Sequence, residues 1–283
     1  YQAILNNLLG YYILDTGKKD ETAIDTAIAY FQRSLQDKEM LFRKSAVDYR
    51  PMTNSKELSE KYCGDNMYQL LARQAISRLS GYFIANPVSA EKIQNEILSI
   101  YDGLIDFYRQ QGMTDARLLL MLDKLHYKGN DVSRGGVNEK LRLTDEQVIT
   151  LLKQWAEEFA DSPLCGEVYC QLAERYDRMQ DYTAKLKAAQ TGLAKYPRSL
   201  SANDLKEQIA EVLTPRLMVE IPFAYPGKDV DLKVKYRNLA GLTVELYRMN
   251  LPVTSPVLER EINASTLSQY GKLVSSRHYD LAA

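Results

Sequence analysis

The chain reads as mainly α-helical with a smaller β module at its C-terminal end. Three observations carry this. Apolar residues recur at helical spacing through much of residues 1–213, and a Tyr-x-x-Leu signature returns at intervals that suit a helical repeat. From Thr214 onward the hydrophobic period shortens to about two residues, the period of a strand with one buried face. The expected architecture is an array of helical hairpins over 1–213 and a partial antiparallel β-sandwich over 214–283.

Residues 1 to about 47 read as helices. Ile4, Leu5, Leu8, Leu9, Tyr12 and Ile13 form the first apolar stripe, Gly17–Asp20 reads as a turn, and Ile24, Ala27, Ile28 and Phe31 resume the pattern. The polar stretch from Tyr49 to Lys61, with Pro51, Asn54 and Ser55, reads as a loop. Three segments then share an opening: Tyr68-x-x-Leu71-Ala72, Tyr101-x-x-Leu104 with Tyr108, and Tyr169-x-x-Leu172-Ala173 with Tyr176. Each resembles the first helix of a tetratricopeptide (TPR) unit, which repeats about every 34 residues. The first two start 33 residues apart and the last two 68 apart, near one and two periods.

The third copy is the fullest. It reaches Gly192 where a small residue is needed and Pro197 at the closing turn, and it departs from the pattern at Lys185 and Ala189. The turn-prone Gly129–Gly136 stretch interrupts the array before Thr144-Asp145-Glu146-Gln147, a capping box that marks a helix start. A last helix over about Ser201–Leu213 ends at Thr214-Pro215, because proline disfavours helical geometry in the residue before it. Beyond it, Val230, Leu232, Val234 and Tyr236 alternate with polar residues, as do Leu242, Val244 and Leu246. Arg237–Gly241 reads as the corner between the two runs. Leu251–Pro256 reads as an extended connection, Leu267–Tyr270 as a short helical turn, and Lys272–Tyr279 as one more strand. That makes three or four strands, whereas a full sandwich of about 100 residues has about seven. The chain is therefore expected to stop inside a domain.

Composition excludes several classes of function. Net charge is −1, with Lys and Arg scattered, so nothing draws the chain to nucleic acid. No apolar run approaches the roughly 20 residues of a membrane span. The start at Tyr1, without Met or a signal peptide, reads as a processed or trimmed N-terminus. Twenty tyrosines stand against one tryptophan and six phenylalanines. Such amphipathic rings suit helix–helix packing first, and peptide or glycan surfaces second.

Catalytic chemistry has few candidates. His126 ends an apolar helix and His278 lies in the last strand, far apart and without ligand spacing, so neither a zinc site nor a His-dependent triad is expected. Gly135-Gly136 lacks the Gly-Lys-Ser/Thr of a phosphate loop. Cys63, Cys165 and Cys170 form neither a disulfide framework nor a CxxC pair. Asn263-Ala264-Ser265 fits a glycosylation acceptor, a tripeptide that is common by chance. No catalytic, cofactor-binding or metal-binding residue is assigned, the binding surface is left open, and the chain reads as non-enzymatic.

The succession YPGKDVDLKVKYRNL…LTVELYRMN, over Tyr225–Asn250, resembles the first macroglobulin domain of bacterial alpha-2-macroglobulin-like proteins, in the long forms that carry a helical repeat region ahead of it. Ile100–Gly112 is similar to a helix of that preceding region. The resemblance implies the N-terminal scaffold of a periplasmic or cell-envelope endopeptidase inhibitor. Its implied partners are the other domains of the same polypeptide and, for the whole protein, proteases; bait and thioester would lie beyond residue 283.

The family's thioester motif is Cys-Gly-Glu-Gln, and two stretches here imitate it. Cys63-Gly64-Asp65-Asn66 ends one methylene short of the glutamine, and Cys165-Gly166-Glu167-Val168 ends without a carboxamide. Both are expected to be coincidences, with the cysteines serving as small buried hydrophobes. Two further readings are a stand-alone TPR-type module for a peptide or glycan, and a hydrolase. Whether Tyr30, Tyr68, Tyr101 and Tyr169 pack between helices or face a groove separates the scaffold from the module.

Overall fold

A computed structural model describes residues 1–16, 20–49, 52, 65–85, 90–129, 143–220, 231–250 and 267–281. The fold is mainly helical with a small antiparallel β part in two sheets. The chain divides into two compact units, Tyr1–Ile209 and Ala210–Ala283.

The first unit holds α1 (Gln2–Thr16), α2 (Glu21–Ser34), α3 (Lys38–Phe42), α4 (Met67–Ala85), α5 (Ala90–Gln110), α6 (Thr114–Gly129), α7 (Asp145–Glu158), α8 (Cys165–Arg178) and α9 (Tyr182–Lys195). Helix α10 (Ala202–Leu213) crosses into the second unit. Helices adjacent in sequence pack on one another: α1 on α2, α4 on α5, α5 on α6, α7 on α8, and α8 on α9. Local signals explain where several begin. Asp20 caps α2 by accepting from the Ala23 N–H at 2.9 Å. Thr144 and Gln147 form the expected capping box of α7, each side chain satisfying the other's backbone N–H.

Two apolar cores fill this unit. Ile24, Phe31, Leu71, Leu79, Ile97 and Leu104 belong to the first, and Val148, Leu152, Phe159, Val168 and Leu205 to the second. Helix α6 borders both, sending Ala116 and Leu120 to the first and Leu118 and Leu125 to the second. It can do so because its apolar residues run round more than one side.

The tyrosines of the repeated segments pack between helices. Tyr68 is buried edge-on against Phe107, with ring centroids 5.1 Å apart. Tyr101 lies 6.1 Å from Tyr127, and Tyr169 lies 5.9 Å from Tyr196. Tyr30 is half-buried, with the Arg33 guanidinium 5.6 Å from its ring.

In the second unit β1 (Arg216–Glu220) pairs antiparallel with β2 (Lys233–Arg237), and β3 (Gly241–Met249) with β4 (Gly271–Asp280). A short helix, α11 (Leu267–Tyr270), leads into β4 as the sequence suggests. The pairing passes from Leu246↔Ser275 to Tyr247↔Leu273, which leaves Val274 in a bulge. The corner between β2 and β3 is built on Asn238, in the left-handed region at φ 53°. Its side-chain amide donates to the Val212 carbonyl at 2.6 Å, and the Arg237 guanidinium donates to the Glu211 carbonyl. These bonds serve carbonyls that the end of α10 would leave unpaired, and they tie its last turn to the strands. The compact unit accordingly begins at Ala210, a few residues before the boundary that Pro215 suggests.

One expectation needs correction here. The alternation of Leu232, Val234 and Tyr236, and of Leu242, Val244 and Leu246, predicts a buried face. Instead Leu232, Tyr236 and Leu246 stay 41%, 40% and 59% exposed. The physical reason is that each sheet has two strands among the described residues, and Leu232, Val234, Tyr236, Leu242 and Val244 line a cleft of about 490 Å³ rather than closing on each other. Strand β2 is also shorter than its alternation, since Asp231 and Leu232 precede it. Val230 lies outside the described residues, as do the Gly129–Gly136 turn from residue 130 onward, Leu251–Pro256, the Asn263 acceptor and Cys63-Gly64.

Candidate functional site

The most site-like feature is a groove of about 240 Å³ where α5, α6 and α7 meet. Helical spacing sets its walls. Arg117, Met121 and Lys124 occupy successive turns of one face of α6, with Leu125 beside them. Asp102 and Ile105 face them from α5, one turn apart. Leu151 and Trp155 do the same from α7, and Leu143 lines the groove just ahead of that helix. The floor is therefore apolar, with a cation toward either end of the α6 face.

Both cations are partly buried. The Arg117 side chain is 22% exposed; it pairs with Glu158 at 2.6 Å, and its guanidinium lies 5.1 Å from the Phe159 ring centroid. Its Nε–H is buried and finds no acceptor among the described residues. Lys124 pairs with Asp102 on the more exposed side of the groove.

Neither histidine lines this groove. His126 is exposed near the end of α6. On β4, His278 Nδ1 lies 2.9 Å from the Thr243 hydroxyl and Nε2 lies 3.5 Å from Asp280. Among the described residues, no group of three or more His, Cys, Asp or Glu side chains is placed to hold a metal ion.

The Cys165-Gly166-Glu167-Val168 look-alike has a packing explanation for every residue. Cys165 and Val168 are fully buried at the start of α8. A Cβ on Gly166 would fall 2.3 Å from the Ser199 hydroxyl, so only glycine lets the α9–α10 connection approach this closely. Glu167 accepts from the Ser201 backbone N–H at 2.8 Å and from its hydroxyl. Burial pushes the Cys165 thiol up, and burial reinforced by Glu174 pushes Cys170 up to about 12. Neither is a thiolate at neutral pH, which removes the nucleophilic form. In the other look-alike, Asp65 accepts from the Val47 N–H at 3.4 Å. Asn66 Oδ1 accepts from the Gln69 N–H at 2.9 Å, while its amide donates to the Tyr108 hydroxyl at 3.0 Å.

Sequence reasoning missed the groove. Its signal was present in the seven-residue spacing of Arg117 and Lys124 on one helix and in the single tryptophan, four residues after Leu151. Nothing in the sequence said that a third helix would close over that face. The chain was compared with family models, curated proteins and solved structures, and it matches none of them.

Proposed function

We propose that this chain is a non-catalytic scaffold and interaction region of a large alpha-2-macroglobulin-like endopeptidase inhibitor of the cell envelope. The observation that carries the reading is the β unit, which presents two facing apolar strand surfaces around an open cleft. Leu232, Val234 and Tyr236 lie on one side and Leu242, Val244 and Tyr279 on the other. Two-stranded sheets are marginal in water, and a third strand or a covering layer is what stabilises them. A macroglobulin-type sandwich completed by further strands of the polypeptide meets that need, and the Tyr225–Asn250 motif resembles such a domain.

On this reading the helices form a TPR-like array. The α8–α9 hairpin supports it: two helices of equal length joined by a tight turn, with Gly192 against the Tyr169 side chain, as a repeat pattern asks of its small position. The trapping step would belong to bait and thioester segments elsewhere in the polypeptide. Proteases would be targets of the whole protein.

The second reading is a stand-alone TPR-type module for a peptide or glycan. The Trp155 groove favours it, while the packing of Tyr68, Tyr101 and Tyr169 between helices weighs against a tyrosine-lined binding face.

The test is the mass of the native polypeptide, read by immunoblot of source cells with antibody against this region. The expected band is several times larger than 32.3 kDa. A band at 32.3 kDa overturns the inhibitor reading and leaves the binding module.

A further inference from the structure

We propose that the outward face of α1 pairs with the same face of a second copy of this chain, the two helices running antiparallel about a twofold axis. The inference does not rest on the inhibitor reading.

The polarity of α1 is inverted. Of the apolar stripe that opens the sequence, Leu5, Leu8 and Tyr12 remain 49%, 47% and 62% exposed, in line with Tyr1 at 81%. The opposite face buries Asn6, Asn7 and Gly10 beside Ile4 and Leu14. That inward face is held by specific contacts. Asn7 donates to the Leu71 carbonyl at 3.1 Å and to the Ser34 hydroxyl at 3.4 Å. Gly10 sits so close to α2 that a Cβ there would fall 3.0 Å from the Phe31 ring. Turning the helix to bury its apolar side would break these bonds and force a clash. Its neighbour α2 has the ordinary arrangement, with Glu21, Asp25, Gln32 and Arg33 outside. Water suits the outside of α2, whereas the outside of α1 is satisfied by an apolar partner.

Two features commit that partner to a second copy. The exposed residues follow one another at intervals of four, three and four, the spacing of a helix–helix seam. The series Tyr1, Leu5, Leu8, Tyr12 also reads the same from either end. A twofold interface is self-complementary, so that residue i meets j and j meets i. In an antiparallel pair centred between residues 6 and 7, Leu5 of each copy meets Leu8 of the other, and Tyr1 meets Tyr12. A parallel pair or an unrelated helix makes no use of that symmetry.

Charge agrees with it. Residues 1–14 carry no charged side chain, so no like charges meet across the axis. The first charge, on the exposed Asp15, falls at the N-terminal end of the opposing helix, where a carboxylate is favoured.

One helix pair is a small interface, so association in the micromolar range is expected. Sedimentation velocity of the full chain over that range should show the mass rising from 32.3 kDa toward twice that value. Leu5→Glu sets a carboxylate in the seam of each copy and should weaken the dimer about a hundredfold, with circular dichroism unchanged. Tyr12→Glu repeats the test at the other end of the seam. Orientation is read by cysteine cross-linking under a mild oxidant, with the parent chain as background. A mixture of Leu5→Cys and Leu8→Cys chains should form the mixed disulfide faster than either variant links to itself. A chain that stays monomeric throughout overturns the proposal. A dimer that both Leu5→Glu and Tyr12→Glu leave unchanged overturns it too, since another surface then holds it together. Faster linking between like positions overturns the antiparallel pairing.

Discussion

Tyr108, Asn66 and Gln69 form a buried polar group beside the first core. The Tyr108 hydroxyl donates to Gln69 Oε1 and accepts from the Asn66 amide, while Asn66 Oδ1 holds the Gln69 N–H. Burial without such partners would cost each group about 1–3 kcal/mol. Burial also shapes the response to alkali. It pushes Tyr68 up to about 12 and Tyr101 up to about 12, the latter helped by Asp123, and Cys170 rises to the same region. In the unfolded chain a thiol ionises near about 8.5 and a phenol near about 10. Because the folded values are the higher ones, the stabilisation is complete below the unfolded values and is lost as pH rises toward about 12. Melting temperature should therefore fall steadily from about pH 8.5 upward. Native Cys165 and Cys170 should resist a chromogenic disulfide reagent that titrates them once the chain is denatured. A flat melting profile to about pH 11, or prompt labelling of the native thiols, contradicts the assignment.

At the scale of elements, the α8–α9 hairpin shows how a departure from a repeat pattern is accommodated. The pattern asks for a small residue at position 185 and a large one at 189; the chain has Lys185 and Ala189, both buried. The lysine stem fills space near the small Ala189, and its ammonium reaches Asp177 at 2.7 Å on the preceding helix. Truncating the buried stem costs more than replacing the lysine by an apolar residue of like shape. Lys185→Ala should therefore lower stability by more than Lys185→Met, with a gap of about 2–5 kcal/mol. Chemical denaturation of the two variants measures the gap, and a Lys185→Met variant that is the less stable of the two refutes the argument. Arg175 plays a parallel role between α8 and α7, its guanidinium 3.0 Å from Asp145 and almost fully buried.

For the whole molecule, the two units differ in how their hydrogen bonds are protected. The helices stand on two apolar cores, whereas β1 to β4 carry exposed Leu217, Met218, Leu246 and Val274. Opening free energy follows buried apolar contact, so backbone amides of the strands should exchange sooner than those of α4, α5 and α8. Hydrogen exchange read by mass spectrometry checks this. Protection over residues 217–220 and 233–249 equal to that of the helices would mean that the strand faces are covered in solution.

Much of the fold was legible because its signals are local. The Thr144–Gln147 capping box, the helical stripes, the Pro215 stop, the Arg237–Gly241 corner and the turn before β4 are properties of short windows, in which a few residues decide the backbone. The alternation in β2 and β3 correctly marked strands, yet it could not say whether their apolar faces would be covered. That depends on how many strands a sheet recruits and on what lies across from it. The groove was hidden for the same reason. Arg117, Lys124, Asp102 and Trp155 sit on three helices, and only packing of α5 and α7 against α6 gathers them around one space. The thioester look-alikes invert the lesson: a four-residue likeness was visible in sequence, while the burial of Cys165 and the Gly166–Ser199 approach decide that it serves packing. Sequence alone marked the helical stripes, the turns and the alternating strands, since those signals lie between near neighbours, while β1 emerged only from its pairing with β2. Tertiary structure alone decided which side chains meet, because burial and long-range contact come into being only when the elements pack.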